Sequence, residues 1–170
     1  MNNLLKVFLF GLTMLVYVSC NNSGLKERVQ ITEGVSVLMP KEYKKNDIGD
    51  GNVMVRSRMG TTDLRVVAIK DPGLDGLSTD KMKEALDFNV AEFLKPMKGK
   101  LLHRKDTMVG NVMISDFEME LGTGDLLKQG KGRFLLKGNK FITFMLVTPA
   151  KEIKSAGSLQ ESFLNSIKFD

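Results

Sequence analysis

The stretch "FITFMLV", residues 141–147, places apolar side chains at both odd and even positions. Successive side chains of a β-strand point to opposite faces of its sheet, so such a strand has to be covered on both sides. By contrast, "MISDFEMEL", residues 113–121, alternates apolar and acidic residues, which is typical of a strand with one buried and one solvated face. We therefore predict that residues 141–147 form the central strand of a sheet that has a layer of structure on each face.

Two amphipathic helices can supply those layers. The first has apolar residues at helical spacing, begins after an N-cap at Ser78 or Thr79 and stops before Pro96. The second, "SLQESFLNSIKF", opens with a capping box formed by Ser158 and Glu161. Both helices are long enough to cover part of a sheet.

The remaining segments are β-type runs joined by turn signals. "VMVRSRM" and "DLRVVAIK" flank a predicted hairpin turn at Gly60, and Gly110 and Gly138 mark two further turns. "KEYKKNDIGDGN", residues 41–52, shows no apolar alternation and predicts a polar loop. The order is strands, helix, four strands, helix, with hairpin connections. It predicts an α+β fold in which a largely antiparallel sheet is flanked by helices on both faces, an α/β/α sandwich.

The N-terminus is typical of a targeting segment. Lys6 precedes an uncharged apolar run, residues 7–18, that is too short to cross a bilayer and suits a secretory signal peptide. Cys20 follows that run after Ser19 and is the only cysteine of the chain, so it cannot form an internal disulfide. Three readings of Cys20 are open: a chance cysteine behind an ordinary signal peptide, a free thiol buried in the membrane, and a lipid attachment site.

The position of Cys20 resembles the lipobox of bacterial lipoproteins, although Tyr17 stands where that pattern prefers Leu. The resemblance implies that residues 1–19 are a lipoprotein signal peptide and that Cys20 becomes an acylated N-terminus, with palmitate among its chains. Residues 20–28 are then a tether and residues 29–170 a single domain. We expect a protein of the bacterial cell envelope, held to a membrane by its lipid and facing the periplasm or the surface.

The composition of the remaining 151 residues excludes several classes of function. They hold 24 basic and 20 acidic side chains, which is a modest excess for one ordinary domain. We expect no nucleic-acid partner, since the protein is exported and no basic cluster is interleaved with aromatic residues. A single histidine and no second cysteine leave transition-metal sites short of ligands.

The element order and the closing "SLQESFLNSIKF" resemble the superfamily of the photosystem II extrinsic subunit PsbP over residues 29–169. That superfamily also contains a Ran-binding nuclear import factor and bacterial lipoproteins such as DcrB. The resemblance implies a PsbP-like fold and a non-enzymatic accessory or binding role with an envelope protein as partner. It contains no motif of specific residues, so no binding residue is transferred from it.

One enzymatic alternative depends on His103, the only histidine, and on Asp116 and Glu118. Folding the chain about the turn at Gly110 brings His103, Arg104 and Lys105 opposite the two acids, where cross-strand charge pairing explains them at about 0.2–1 kcal/mol a pair. No G-x-S-x-G nucleophile motif accompanies the histidine. The alternative is an envelope hydrolase that uses the acidic strand face with His103.

Two further segments resemble ligand loops only superficially. "GTGDLLKQGKGR" fails the spacing of a Walker loop and of a dinucleotide loop, so we predict that its glycines belong to a hairpin connection. "DPGLDGLSTDKM" lacks two of the oxygen ligands of an EF-hand loop. We therefore expect no cofactor and no metal.

Overall fold

A computed structural model describes residues 24–169 of the chain, apart from the side chain of Asp125. Within these residues, ten strands and two α-helices are connected by short loops and 3-10 turns. The helices are α1 (Thr79–Leu94) and α2 (Ile153–Asn165). The strands are β1 (Leu25–Thr32), β2 (Val35–Pro40), β3 (Tyr43–Asp47), β4 (Val53–Met59), β5 (Thr62–Lys70), β6 (Gly99–Val109), β7 (Val112–Leu121), β8 (Lys128–Lys137), β9 (Lys140–Pro149) and β10 (Lys168–Phe169).

Seven of these strands form one antiparallel sheet in the order β3-β4-β5-β9-β8-β7-β6. β9 lies in the middle, and every residue from Phe141 to Thr148 is buried. The prediction that residues 141–147 form the central strand is confirmed. A second, three-stranded sheet has the order β1-β2-β10, so the antiparallel pairing extends to all described strands.

The two faces of the seven-stranded sheet are covered by different layers. On one face, α1 packs over β7, β8 and β9 around stacked rings of Phe117 and Phe134, whose centroids lie 4.1 Å apart. On the other face, α2 and the three-stranded sheet share a core that includes Val37, Phe144 and Phe163. The predicted α+β sandwich with helices on both faces is therefore confirmed, with β1 and β2 adding to one of the layers.

Three element boundaries differ from the predictions. β1 begins at Leu25, which is buried and pairs with Pro40, so the last part of the predicted tether over residues 20–28 is strand. β3 lies within residues 41–52, which were predicted to form a loop. The prediction missed this strand because all five of its side chains are exposed and show no apolar alternation. The predicted capping box is wrong, since α2 already begins at Ile153 and Ser158 lies inside the helix.

The glycines that we assigned to a hairpin connection are in two different settings. Gly124 begins the 3-10 turn between β7 and β8, whereas Gly130 and Gly132 lie inside β8. These two face the core under α1, where Met119 and Phe117 occupy the space that a side chain would need. Close packing explains why glycine occupies these two positions. Both lie inside a strand and not in a phosphate-binding loop.

Both outer strands of the seven-stranded sheet are rich in cations. β3 presents Lys44 and Lys45, and β6 presents Lys100 and Lys105, all exposed. Neither α1 nor α2 is long and apolar enough to cross a membrane.

Candidate functional site

The acidic strand face on β7 is neutralised by the neighbouring strand. The guanidinium of Arg133 on β8 forms two hydrogen bonds with the Asp116 carboxylate, at 2.7 and 3.0 Å. Lys131 pairs with Glu118 at 3.1 Å. Each carboxylate thus faces a cation from β8, and within residues 24–169 no acid lies opposite either of them in the register, as a glycosidase pair would require.

His103 lies opposite Glu118 in the β6–β7 register, and Lys105 lies opposite Asp116, as the sequence predicts. Arg104 was also predicted to face these acids, and that part of the prediction is wrong, since Arg104 lies opposite Phe117 and points to the other face of the sheet. His103 is exposed on an edge strand, and among residues 24–169 it has no hydrogen bond that would position it as a base. The three residues of the hydrolase alternative share a sheet face but do not form a catalytic arrangement. Within the same residues, no group of three or more His, Cys, Asp or Glu side chains could hold a metal ion.

Arg104 joins α1 to the edge of the sheet. It contacts Asp87 of α1 at 2.6 Å, Asp106 at 2.8 Å and the Ser115 hydroxyl at 3.1 Å. Burial alone would raise the pKa of the Asp106 carboxyl, but hydrogen bonds from Arg104 and Ser115 outweigh burial and hold that pKa below its ordinary value. These contacts tie α1 to β6 and β7 at the edge of the sheet.

The seven-stranded sheet is covered only partly on the α1 side. The core beneath α1 draws its buried residues from β7, β8 and β9, with partly buried neighbours on β6. β3, β4 and β5 contribute none of the described members of that core, although their alternate residues point to the same side. This half of the sheet surface is therefore open to solvent.

A row of three cations crosses the open half of the sheet. Lys44, Arg56 and Arg65 lie directly opposite one another on β3, β4 and β5, and the row ends at Met145 on β9. Neighbouring residues in such a row are about 5 Å apart, so three positive charges occupy about 10 Å. We call this row, with the apolar residues beside it, the basic face.

The charges of the basic face are only partly neutralised. Asp63 pairs with Arg58 at 2.8 Å and approaches Arg65 at 3.8 Å. Within residues 24–169, no carboxylate pairs with Lys44 or Arg56. Like charges directly opposite each other destabilise a sheet, so the fold itself gives no reason for the row.

Apolar groups accompany these cations. Met54 and Val67 are half-buried beside the row, and Ile69 is 43% exposed. A groove of about 390 Å³ begins at Arg65 and continues along apolar walls that include Leu126, which is 79% exposed. A surface that combines cations with apolar side chains is suited to binding another macromolecule.

Comparison with known proteins identifies the fold. No protein-family model and no curated protein matches the sequence. The solution structure of cyanobacterial PsbP (CyanoP) from Synechocystis sp. PCC 6803 matches with a TM-score of 0.61 and 16% identity, covering 86% of this chain and 94% of that one. The fold is PsbP-like. The crystal structure of the Saccharomyces cerevisiae Ran-binding protein Mog1p matches with a TM-score of 0.52 and 10% identity, covering 85% and 96% of the two chains.

These likenesses confirm the PsbP-like fold that the element order predicted, and at such identities they show the fold alone. Cys20 and the signal peptide of residues 1–19 lie outside the described residues, so lipid attachment stays a prediction. The basic face was missed by the sequence reasoning. Its signal was the alternating Arg56 and Arg58 in "VMVRSRM" and the single Arg65 in "DLRVVAIK", which predict two arginine-bearing strands but not that their outward side lacks a helix.

Proposed function

We propose that this chain is a lipid-anchored lipoprotein of the bacterial cell envelope that acts as a non-enzymatic binding module. Its partner is an acidic protein that docks on the basic face. The observation that carries the proposal is the uncovered row of Lys44, Arg56 and Arg65. The lipobox-like segment that ends in Cys20 supports the anchor and the envelope location.

The chemistry of the basic face specifies what the partner offers. Carboxylates spaced by about 5 Å match a row whose members stand at that spacing, and arginine forms bidentate hydrogen bonds with carboxylates. The groove beside Arg65 accepts an apolar side chain from the same partner. Charge complementarity of this kind speeds association and selects the partner.

A non-enzymatic role is supported by the state of the candidate catalytic groups. Asp116 and Glu118 are each paired with a cation, and His103 is exposed and has no hydrogen-bond partner among residues 24–169. The Ran-binding protein Mog1p, which has the same fold, binds a protein, and we extend that mode of action to this chain by analogy.

The partner can be identified by photo-crosslinking. A photoreactive residue replaces Arg56 in the full-length protein, which is studied within its own envelope membranes. The matched control places the same crosslinker at Lys105, an exposed residue of the opposite edge strand. We expect an acidic protein that is crosslinked from position 56 and not from position 105. The captured protein is then purified for binding measurements.

Binding of that protein is measured with Arg56→Gln/Arg65→Gln and with Lys105→Gln/Lys154→Gln, which removes the same charge elsewhere. Each charged hydrogen bond lost costs about tenfold in affinity, so the arginine variant should bind about 100-fold more weakly. Equal affinity of the two variants would rule out the basic face as the docking surface. Mass spectrometry of the N-terminal peptide tests the anchor, since an unmodified Cys20 excludes lipid attachment.

A further inference from the structure

A second charged surface lies at one end of the seven-stranded sheet, where β1 begins. Leu25 pairs there with Pro40, and Gly24 lies so close to Met59 that a side-chain carbon on it would come within 2.4 Å of the Met59 Cε. The same end contains the first residues of β5, β6 and β8 and the last residues of β4, β7 and β9. We call it the basic end.

The basic end carries an excess of positive charge. Its acidic residues are Glu42, Asp63, Glu92, Glu120, Asp125 and Glu152, whereas its basic residues are Lys26, Lys41, Arg58, Lys95, Lys98, Lys100, Lys128 and Lys151. Among the described residues, no carboxylate pairs with Lys98, Lys128 or Lys151. Most of these cations are therefore available to an external anion.

The opposite end of the sheet has the reverse balance. Its turns and loops hold the acidic residues Glu33, Asp47, Asp50, Asp71 and Asp75 against the basic residues Lys70, Lys137 and Lys140. The two ends are separated by strands of up to about ten residues, or about 33 Å. The domain is thus polarised along its strands, with the positive end where the chain leads back to Cys20.

We infer that the basic end docks on the anionic headgroups of the membrane that holds the anchor. This inference rests on the lipid attachment at Cys20 in the proposed function. Four residues, 21–24, separate Cys20 from Leu25, and the intervening backbone spans at most about 18 Å when fully extended. An acylated Cys20 lies at the membrane surface, so Leu25, where β1 starts at the basic end, stays within that distance of the headgroups.

Electrostatic attraction then determines the orientation of the domain relative to the membrane. The field of an anionic membrane falls off over about 8 Å at physiological ionic strength, and the tether is short enough to let the basic end come within that range. Each lysine or arginine near the surface favours the docked state by about fivefold. The excess of cations therefore favours an orientation with the basic end down and the acidic end away from the membrane.

The orientation can be measured in the acylated full-length protein reconstituted into vesicles. Because Cys20 is the only cysteine and is blocked by lipid, one introduced cysteine can carry a fluorophore. Thr123→Cys labels the basic end, and Thr107→Cys, also an exposed threonine, labels β6 two residues before its opposite end. Headgroup-attached quenchers report which label is near the bilayer.

In vesicles of phosphatidylcholine with 30% phosphatidylglycerol, roughly a physiological surface charge, we expect quenching at position 123 and little at position 107. Lys128→Gln/Lys151→Gln should lower the ratio of docked to undocked molecules by about 25-fold, whereas Lys70→Gln/Lys83→Gln should leave it unchanged. Pure phosphatidylcholine vesicles should abolish the difference between the two labels.

Three results would overturn the inference, and they are distinguishable. Lipid on Cys20 with equal quenching of both labels would refute the docked orientation and leave the proposed function intact. An unmodified Cys20 would refute the inference together with the anchor. Equal quenching of position 123 in neutral and anionic vesicles would refute the electrostatic basis.

Discussion

Replacing Gly132 by Ala probes how closely the sheet packs beneath α1. An added Cβ would lie 2.3 Å from the carbonyl oxygen of Phe144 and 2.5 Å from Cζ of Phe117. The oxygen belongs to the backbone of central strand β9, and the ring is held in a stack with Phe134. Neither group can move without shifting its neighbours, so the extra carbon has to displace part of the core.

The magnitude follows from two opposing contributions. Overpacking of a core costs about 1–3 kcal/mol, and contacts this short with backbone point to the upper part of that range. Alanine also reduces the freedom of the unfolded chain, which stabilises the fold by about 0.4–1 kcal/mol. We expect Gly132→Ala to lower the free energy of unfolding by about 2 kcal/mol, and the melting temperature by about 4–8 °C.

Gly130→Ala is the matched control, two residues earlier on the same strand and the same face. There the three atoms nearest to the added carbon would all be side-chain atoms of Met119, the nearest at 2.6 Å. A thioether chain reorients readily, so we expect a change of less than about 1 kcal/mol. Denaturant unfolding followed by circular dichroism measures both variants. If Gly132→Ala is as stable as the parent, or if both variants lose the same stability, the packing argument is refuted.

Three further changes test other parts of the structure. Gln160 is buried and its Nε2 lacks a hydrogen-bond partner among the described residues, so Gln160→Met should raise the free energy of unfolding by about 1 kcal/mol in thermal melts. Because the pKa of Asp106 is lowered in the fold, its stabilising effect is complete above about pH 4 and is lost as the pH falls through its folded-state pKa. Asp106→Asn should therefore destabilise the protein at neutral pH, and unfolding curves of parent and variant should converge in acid. Asp116→Asn should cost less than about 1 kcal/mol, since that carboxylate is 48% exposed despite its pairing with Arg133; a larger loss in denaturant titration would show that the pair has a stronger structural role.

The helices and strands whose buried residues recur at regular spacing, or follow one another without interruption, could be predicted from the sequence. β9 has no polar position to interrupt its apolar run, and α1 begins after Ser78 as its cap and spacing indicate. β3 could not be predicted because all its side chains are exposed and only its hydrogen bonds to β4 make it a strand. The start of α2 was missed because Ser158 and Glu161 imitate a capping box inside a helix.

The basic face depends on long-range arrangement rather than on local pattern. Arg56 and Arg65 meet only because the β4–β5 register is set by the turn between Met59 and Thr62. Their exposure further requires that α1 lies over the other half of the sheet, which no residue of β4 or β5 encodes. Sequence periodicity reports which side of a strand is polar, and it cannot report what covers that side.

The lysines on β3 and β6 have a consequence for how copies of this protein meet. An outer strand presents unpaired backbone groups on which a second sheet can extend, and crowding of molecules favours such growth into fibres. Here an approaching copy brings Lys44 and Lys45, or Lys100 and Lys105, against an edge of the same sign. Repulsion between these lysines opposes edge-to-edge pairing of the sheets of two molecules. It therefore protects the protein from polymerising at high concentration.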